Sequence, residues 1–186
     1  MKLILINGLP GSGKTTLIHE LSKRIGVLGI ARDELKEIGY DILGHKDHDV
    51  AWSKQLGLMT LLMMHKVAKN SFEAGSDLLL ETNFNPNFAH QEIVDLIAGQ
   101  DVDVYELFCK VDPVLAKQRF VDRLESGNRH IGHREHTLGV KDSTFVEGSN
   151  GSVPVGVGKL LEVDTSKPIT ELEWEKIINF LDAKQR

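Results

Sequence analysis

Short apolar runs alternate along this chain with longer stretches in which apolar residues return every three or four positions. KLILIN, residues 2–7, reads as a buried strand, and Lys14 to Ile25 as the helix behind it. VLGIA, 27–31, predicts a short second strand. From Trp52 through Leu56, Met59, Met63 and Val67 the apolar steps are four, three, four and four, which marks one helix face and predicts that this stripe is core. DLLLE, 77–81, predicts a third strand, and Pro86 the start of a helix reaching about Ala98. VDVYELFC, 102–109, predicts a fourth strand; Asp112 and Pro113 then have the cap and first-position chemistry of a helix running to about Glu125. LLEV, 160–163, predicts a fifth strand, and Ile169 to Ala183 a closing amphipathic helix.

Strands alternating with helices imply an α/β fold: a five-stranded parallel sheet with helices on its faces. The pattern breaks from Gly127 to Gly158, which is rich in Gly, Ser, Asn and His and has no apolar period. A segment that long inside a compact domain reads as a functional lid. The 186 residues suit one domain, 1–186, carrying this Gly- and His-rich lid.

Composition narrows the setting. With 41% hydrophobic and 26% charged residues the chain is ordinary for a soluble protein. No apolar run approaches the roughly 20 residues that span a bilayer, and residues 1–6 are too short for a signal-peptide core. A cytoplasmic protein with no membrane partner is expected. The one cysteine, Cys109, lies in a strand-like run and reads as a buried, inert thiol. A net charge of −5 gives no global attraction to a polyanion, so nucleic-acid binding would need a local basic patch. Oligomeric state is not legible.

Directly behind the first strand stands GLPGSGKTT, with Gly8, Leu9, Pro10, Gly11, Ser12, Gly13, Lys14, Thr15 and Thr16 in order. Gly8-x4-Gly13-Lys14-Thr15 is a complete Walker A pattern, placed between strand and helix as its mechanism requires. The glycines allow a tight turn that brings backbone N–H groups to phosphate oxygens, and the positive end of the helix faces the same anion. Lys14 is expected to reach the β- and γ-phosphates and the Thr15 hydroxyl to ligate Mg²⁺. ATP and Mg²⁺ are the expected cofactors.

The fate of the γ-phosphate needs more residues. No Asn-Lys-x-Asp reads guanine here, and Asp41-Ile42-Leu43-Gly44 follows no strand, so it is not a switch motif. A small kinase needs an acceptor-side base, a carboxylate near the metal, and cations that screen the transferred group. Candidates exist for each at IARDELKE, 30–37, LLLETNFNP, 78–86, and the pair Arg119 and Arg123.

Taken in that order, GLPGSGKTT, Arg32-Asp33, Glu81-Thr82-Asn83-Phe84-Asn85-Pro86 and Arg119-x3-Arg123 resemble one group over about residues 1–126. The chain is similar to the P-loop kinases related to the 5′-hydroxyl kinase domain of bacteriophage polynucleotide kinase, a set including zeta-toxin-like and chloramphenicol-phosphotransferase-like enzymes. The resemblance implies a P-loop NTPase fold, a general-base role for Asp33, and contact of Arg119 and Arg123 with the ATP phosphates. It also implies that residues 163–168 pass near the adenine. Where the polynucleotide kinase pattern has an arginine three residues after the Asp, this chain has Lys36, a candidate acceptor contact that keeps the charge and loses the bidentate fork.

The residues keep second readings beside these. Asp33 falls past a strand's carboxyl end, where open α/β sheets bind ligands and a carboxylate could take a hydroxyl proton; the second reading is a cap of the helix DELKEI. Arg32 either contacts the acceptor or forms an ion pair. Glu81 ends the most apolar strand. The sheet order that the resemblance implies puts this strand next to the first and Glu81 beside the loop, to hold Mg²⁺ through water or orient the acceptor; otherwise it simply bonds nearby N–H groups. Asn83 is an acceptor contact or part of a turn. Arg119 and Arg123, four apart, share a helix face that serves phosphate or pairs with Asp122 and Glu125. In the lid, His130, His133 and His136 with Arg129 and Arg134 read as a basic lid more readily than as a zinc site. The sequence therefore reads as an ATP- and Mg²⁺-dependent phosphotransferase with a hydroxyl-bearing small-molecule acceptor. A polynucleotide 5′-hydroxyl kinase and a nucleotide-binding regulator with little transfer are the alternatives.

Overall fold

The computed structural model describes residues 1–44, 50–127, 130, 132 and 153–182. Among them five strands, β1 (Lys2–Gly8), β2 (Gly29–Ala31), β3 (Leu78–Glu81), β4 (Asp103–Lys110) and β5 (Lys159–Asp164), form one sheet. Its order is β2-β3-β1-β4-β5 and every pairing is parallel. The helices are α1 (Lys14–Ile25), α2 (Arg32–Leu43), α3 (Val50–Glu73), α4 (Ala89–Ile97), α5 (Pro113–Glu125) and α6 (Glu171–Asp182). This is the P-loop NTPase fold. β1 lies at the centre with β3 on one side and β4 on the other, so the chain changes direction beside it. A crevice forms at the carboxyl ends of such strands, at the switch point, and that is where the Gly-rich loop sits.

The unbroken apolar run of β1 is explained by burial on both faces. Ile4 and Ile6 pack with Leu17, Ile18 and Leu21 of α1 and with Trp174, Ile177 and Leu181 of α6. Leu3 and Leu5 point the other way, to Met64, Ala68 and Phe72 of α3 and Ile93 and Leu96 of α4.

Three local expectations shift. The buried line of α3 is Leu56, Thr60, Met64, Ala68 and Phe72, while Met59 and Met63 stay 37% and 49% exposed. With Leu58 and Leu62 also exposed, α3 is apolar on two faces, so periodicity alone leaves its orientation open. Pro86 does not start α4. The Asn85 carbonyl accepts from both Phe88 N and Ala89 N, and its side chain from Asn87 N, so an Asn-led turn precedes the helix. β2 starts at Gly29, two residues later than expected. The Asp41–Gly44 tetrapeptide is the end of α2, which agrees with its dismissal as a switch. Most of the expected lid lies outside the described residues.

Asp112 caps α5 as its sequence suggests, accepting from Val114 N at 2.8 Å and Leu115 N at 3.3 Å with Pro113 at the first position. This cap fixes the start of the helix that carries Arg119 and Arg123. Asp112→Ala is expected to cost about 1 kcal/mol of stability, read as a lower urea midpoint at unchanged slope.

Candidate active site

The loop between β1 and α1 is pressed flush against its neighbours. A Cβ on Gly8, whose φ is 148°, would stand 2.7 Å from Ser12 Oγ and 2.9 Å from Cys109 Cβ. At Gly11 it would come within 2.2 Å of the Ala116 carbonyl of α5. Gly13 occupies the N-cap of α1 with no side-chain cap, leaving the first N–H groups of the helix directed into the loop. Ser12 N donates to Leu9 O at 3.0 Å, and Lys14 Nζ reaches back across the loop to the same carbonyl at 2.9 Å.

Lys14 is only 6% exposed. Burial pulls its pKa below the usual lysine range, and the negative groups Glu81 and Asp33 offset part of that. Glu81 is placed by register, opposite Ile6 of β1 and Ala31 of β2, so it stands between the loop and the start of α2. Burial raises its carboxyl pKa; Lys14 and the bond from Thr15 pull back, while Asp33 adds to the rise. Thr15 Oγ1 donates to Glu81 Oε2 at 3.3 Å. A hydroxyl and a carboxylate meeting beside a phosphate loop are the oxygen donors that a hard cation such as Mg²⁺ takes, so these residues fit that ion.

One cleft of about 210 Å³ gathers Lys14, Thr15, Asp33, Glu81 and Asn83 from the carboxyl ends of the strands. Arg119 and Arg123 close it from α5. Asp33 lies inside the first turn of α2, whose N-cap position is Ala31; the capping alternative for Asp33 is thereby removed. The amide oxygen of Asn83 is buried and accepts no hydrogen bond among the described residues.

Arg119 is held in place, Nη1 donating to Thr165 O at 2.8 Å and Nη2 to Ser166 O at 2.6 Å. It forms the wall between the cleft and a second cavity of about 690 Å³, bounded by Thr16, Lys167, Pro168, Ile169 and Trp174. Part of the 163–168 stretch therefore lines a cavity that opens onto the phosphate loop.

Arg32 and Lys36 stand elsewhere. Arg32 Nη2 donates to Gly57 O at 2.6 Å and Nη1 to Thr82 Oγ1 at 3.5 Å, with burial lowering its pKa. Lys36 Nζ donates to Ser53 Oγ at 3.1 Å. Both tie α2 to α3 and neither lines the cleft. Their partners went unread in the sequence, although Ser53, Gly57 and Thr60 interrupt the apolar pattern of α3 at helical spacing. Cys109, 2% exposed beneath Gly8, has its thiol pushed up to about 12 by burial, which makes it inert at neutral pH. His130 sets Nε2 3.0 Å from Asp41 Oδ1 and its ring edge-on to Tyr40. Arg129, His133, Arg134 and His136 lie outside the described residues.

The model of an AAA domain family, AAA_33, matches residues 3–145. No curated protein sequence matches the chain. A protein of Chloroflexus aurantiacus, provisionally described as a kinase, is 26% identical with 97% of each chain covered and a TM-score of 0.79. The APS kinase of Mycobacterium tuberculosis, solved with AMPPNP and APS, is 18% identical over 98% of both chains with a TM-score of 0.63. A gluconokinase of Sinorhizobium meliloti is 15% identical, covering 97% of this chain and 94% of its own, with a TM-score of 0.52. The last two share the fold. The architecture is thus that of P-loop kinases, a nucleotide-binding fold, and among the described residues no helix is long and apolar enough to cross a membrane.

The raised pKa of Glu81 gives a pH expectation. A cation must displace its proton, so Mg²⁺-dependent nucleotide affinity should weaken with falling pH from a point above the ordinary glutamate value of 4.5. Titration calorimetry with and without Mg²⁺ checks this, with Glu81→Gln expected to remove the Mg²⁺ contribution.

Proposed function

The chain belongs to the AAA_33 family of AAA domains, and on that premise we propose that it is an ATP- and Mg²⁺-dependent phosphotransferase acting on a hydroxyl of a small molecule. The observation that carries the reading is the meeting of Asp33 with Lys14, Thr15 and Glu81 in one cleft. A phosphate loop alone supports binding. A carboxylate facing it from the next βα junction supplies what transfer to a hydroxyl requires.

In this reading the backbone of residues 8–16 cradles the phosphates and Lys14 follows the charge on the transferring group. Thr15 and Glu81 hold Mg²⁺, which when bound neutralises phosphate charge. Asp33 takes the proton of the acceptor hydroxyl as the new P–O bond forms and the bond to the leaving diphosphate breaks. Arg123 screens the equatorial oxygens. Arg119, fixed by two carbonyls, positions the nucleotide as a wall, and the nucleobase lies in the cavity beyond it. The buried Asn83 oxygen accepts a donor from the acceptor molecule, and Arg32 and Lys36 act one step back by holding α2, and so Asp33, against α3.

The net charge of −5 gives no general pull toward nucleic acid, which favours a small-molecule acceptor. The test is transfer from γ-labelled ATP to sugars, nucleosides, amino sugars and a 5′-hydroxyl oligonucleotide. A labelled small molecule is expected, absent with Lys14→Ala. Asp33→Asn should keep ATP affinity and lose about 10²–10⁴ in transfer rate. Normal transfer by Asp33→Asn would remove the base assignment, and label on the oligonucleotide alone would move the acceptor class.

A further inference from the structure

Beneath the phosphate loop, on the sheet face opposite α1, is a carboxylate that none of the chemistry above uses. Glu106 of β4 is 1% exposed and has no cation beside it among the described residues. An unpaired buried carboxylate is costly unless hydrogen bonds replace its water. Here three donors do: Asn7 Nδ2 donates to Oε1 at 2.9 Å, the single Val155 N–H is shared between Oε1 and Oε2 at 2.9 Å each, and Gly156 N donates to Oε2 at 3.4 Å.

The network has two outward arms. Through Asn7 it reaches the loop: the Asn7 Oδ1 accepts from Gly8 N at 2.8 Å, and Asn7 is itself fully buried. The same Asn7 amide donates to Val153 O at 2.9 Å. Through Val155 and Gly156 the network holds the chain as it returns toward β5, and Val155 packs into the core with Leu5 and Leu80. Every hydrogen of the Asn7 amide and both oxygens of Glu106 are thus engaged, a fully satisfied polar unit inside an apolar layer.

Apolar side chains of similar volume would stabilise this layer at least as well, since replacing a buried polar unit by well-packed hydrophobic groups is often neutral or favourable. What they could not do is orient a peptide. The Gly8 N–H is the last backbone donor before the loop, and the space beside Gly8 is so close to Ser12 and Cys109 that no side chain fits there. We propose that Asn7 and Glu106 are a positioning pair that fixes the Gly8 peptide, and with it the entry angle of the phosphate loop, by reference to the Val153–Gly156 segment. This rests on the nucleotide-binding reading of the loop. Neither residue touches nucleotide; they act through Gly8.

The pair makes a distinctive prediction because Glu106 acts on the loop through Asn7. Asn7→Ala removes the acceptor of the Gly8 N–H, and Glu106→Ala removes the acceptor that orients the Asn7 amide; in each, ATP Kd should rise about tenfold, the scale of one lost buried hydrogen bond. In the double variant there is no Asn7 amide left to orient, so ATP Kd should stay within about threefold of Asn7→Ala alone. The three variants are measured by calorimetry well below the melting temperature, with amide exchange at Val155 reporting the clamp. Should Glu106→Ala not fold, Asn7→Ala leaves Glu106 its backbone donors and carries the same tenfold expectation. Wild-type ATP affinity in the single variants, even with a lowered Tm, means that the pair is structural only and overturns the proposal. A double variant about a hundredfold weaker than wild type, the product of the two single effects, also overturns it, since the two residues would then not act as a unit. Failure of the unmodified protein to bind ATP overturns the nucleotide reading instead, and the two failures are separate in the data.

Discussion

The structure turns on a lysine and a glutamate that share a site nearly closed to water. Lys14 and Glu81 are 6% and 5% exposed, and burial acts against the charged form of each. Each offsets part of the other's desolvation, yet removing both charges would make a simpler core. In the proposed reading phosphate and a divalent cation complete the pair, the anion meeting the lysine and the cation the glutamate. The low local dielectric that makes the resting pair costly also strengthens those contacts when they form. Everything around the pair keeps it in register. The β3–β1 pairing sets Glu81 opposite Ile6, and the glycines press the loop onto β4 and α5.

The same sheet order brings Asp33 to the cleft. β2 pairs with β3, so the residue after Ala31 emerges next to Glu81, and α2 starts there with Asp33 in its first turn. Asp33 depends on α2 staying seated, and that seat is polar: Arg32 on the Gly57 carbonyl, Lys36 on the Ser53 hydroxyl. A shift of α2 by about an ångström would move Asp33, the proposed base, out of place, and positioning of this kind carries much of the rate in phosphoryl transfer.

The sequence made legible what local chemistry dictates. The Walker A spacing, the Asp112–Pro113 cap and the unbroken apolar run of β1 each have one physical meaning, and each folds as that meaning requires. Glu81 was legible as a strand-end carboxylate; its place beside the loop followed from the resemblance, and the strand register puts it there. Long-range contacts were not legible. The stripe on α3 was read one position off because two faces of that helix are apolar. Arg32 and Lys36 look like acceptor ligands on α2 until α3 is seen beside them. Glu106 is invisible in VDVYELFC, since only the approach of Asn7 and of Val155, 99 and 49 residues away, shows that it is satisfied.

In the proposed reading this cleft hands a phosphoryl group to a hydroxyl. The most direct measurement follows the γ-phosphate of ATP by ³¹P NMR while the protein turns over with Mg²⁺ and a mixed pool of polar metabolites. A new phosphomonoester resonance, growing as the γ signal falls, is the predicted result. Loss of the γ signal to inorganic phosphate alone, at the same rate with and without the pool, would show that the cleft serves water and would contradict the account.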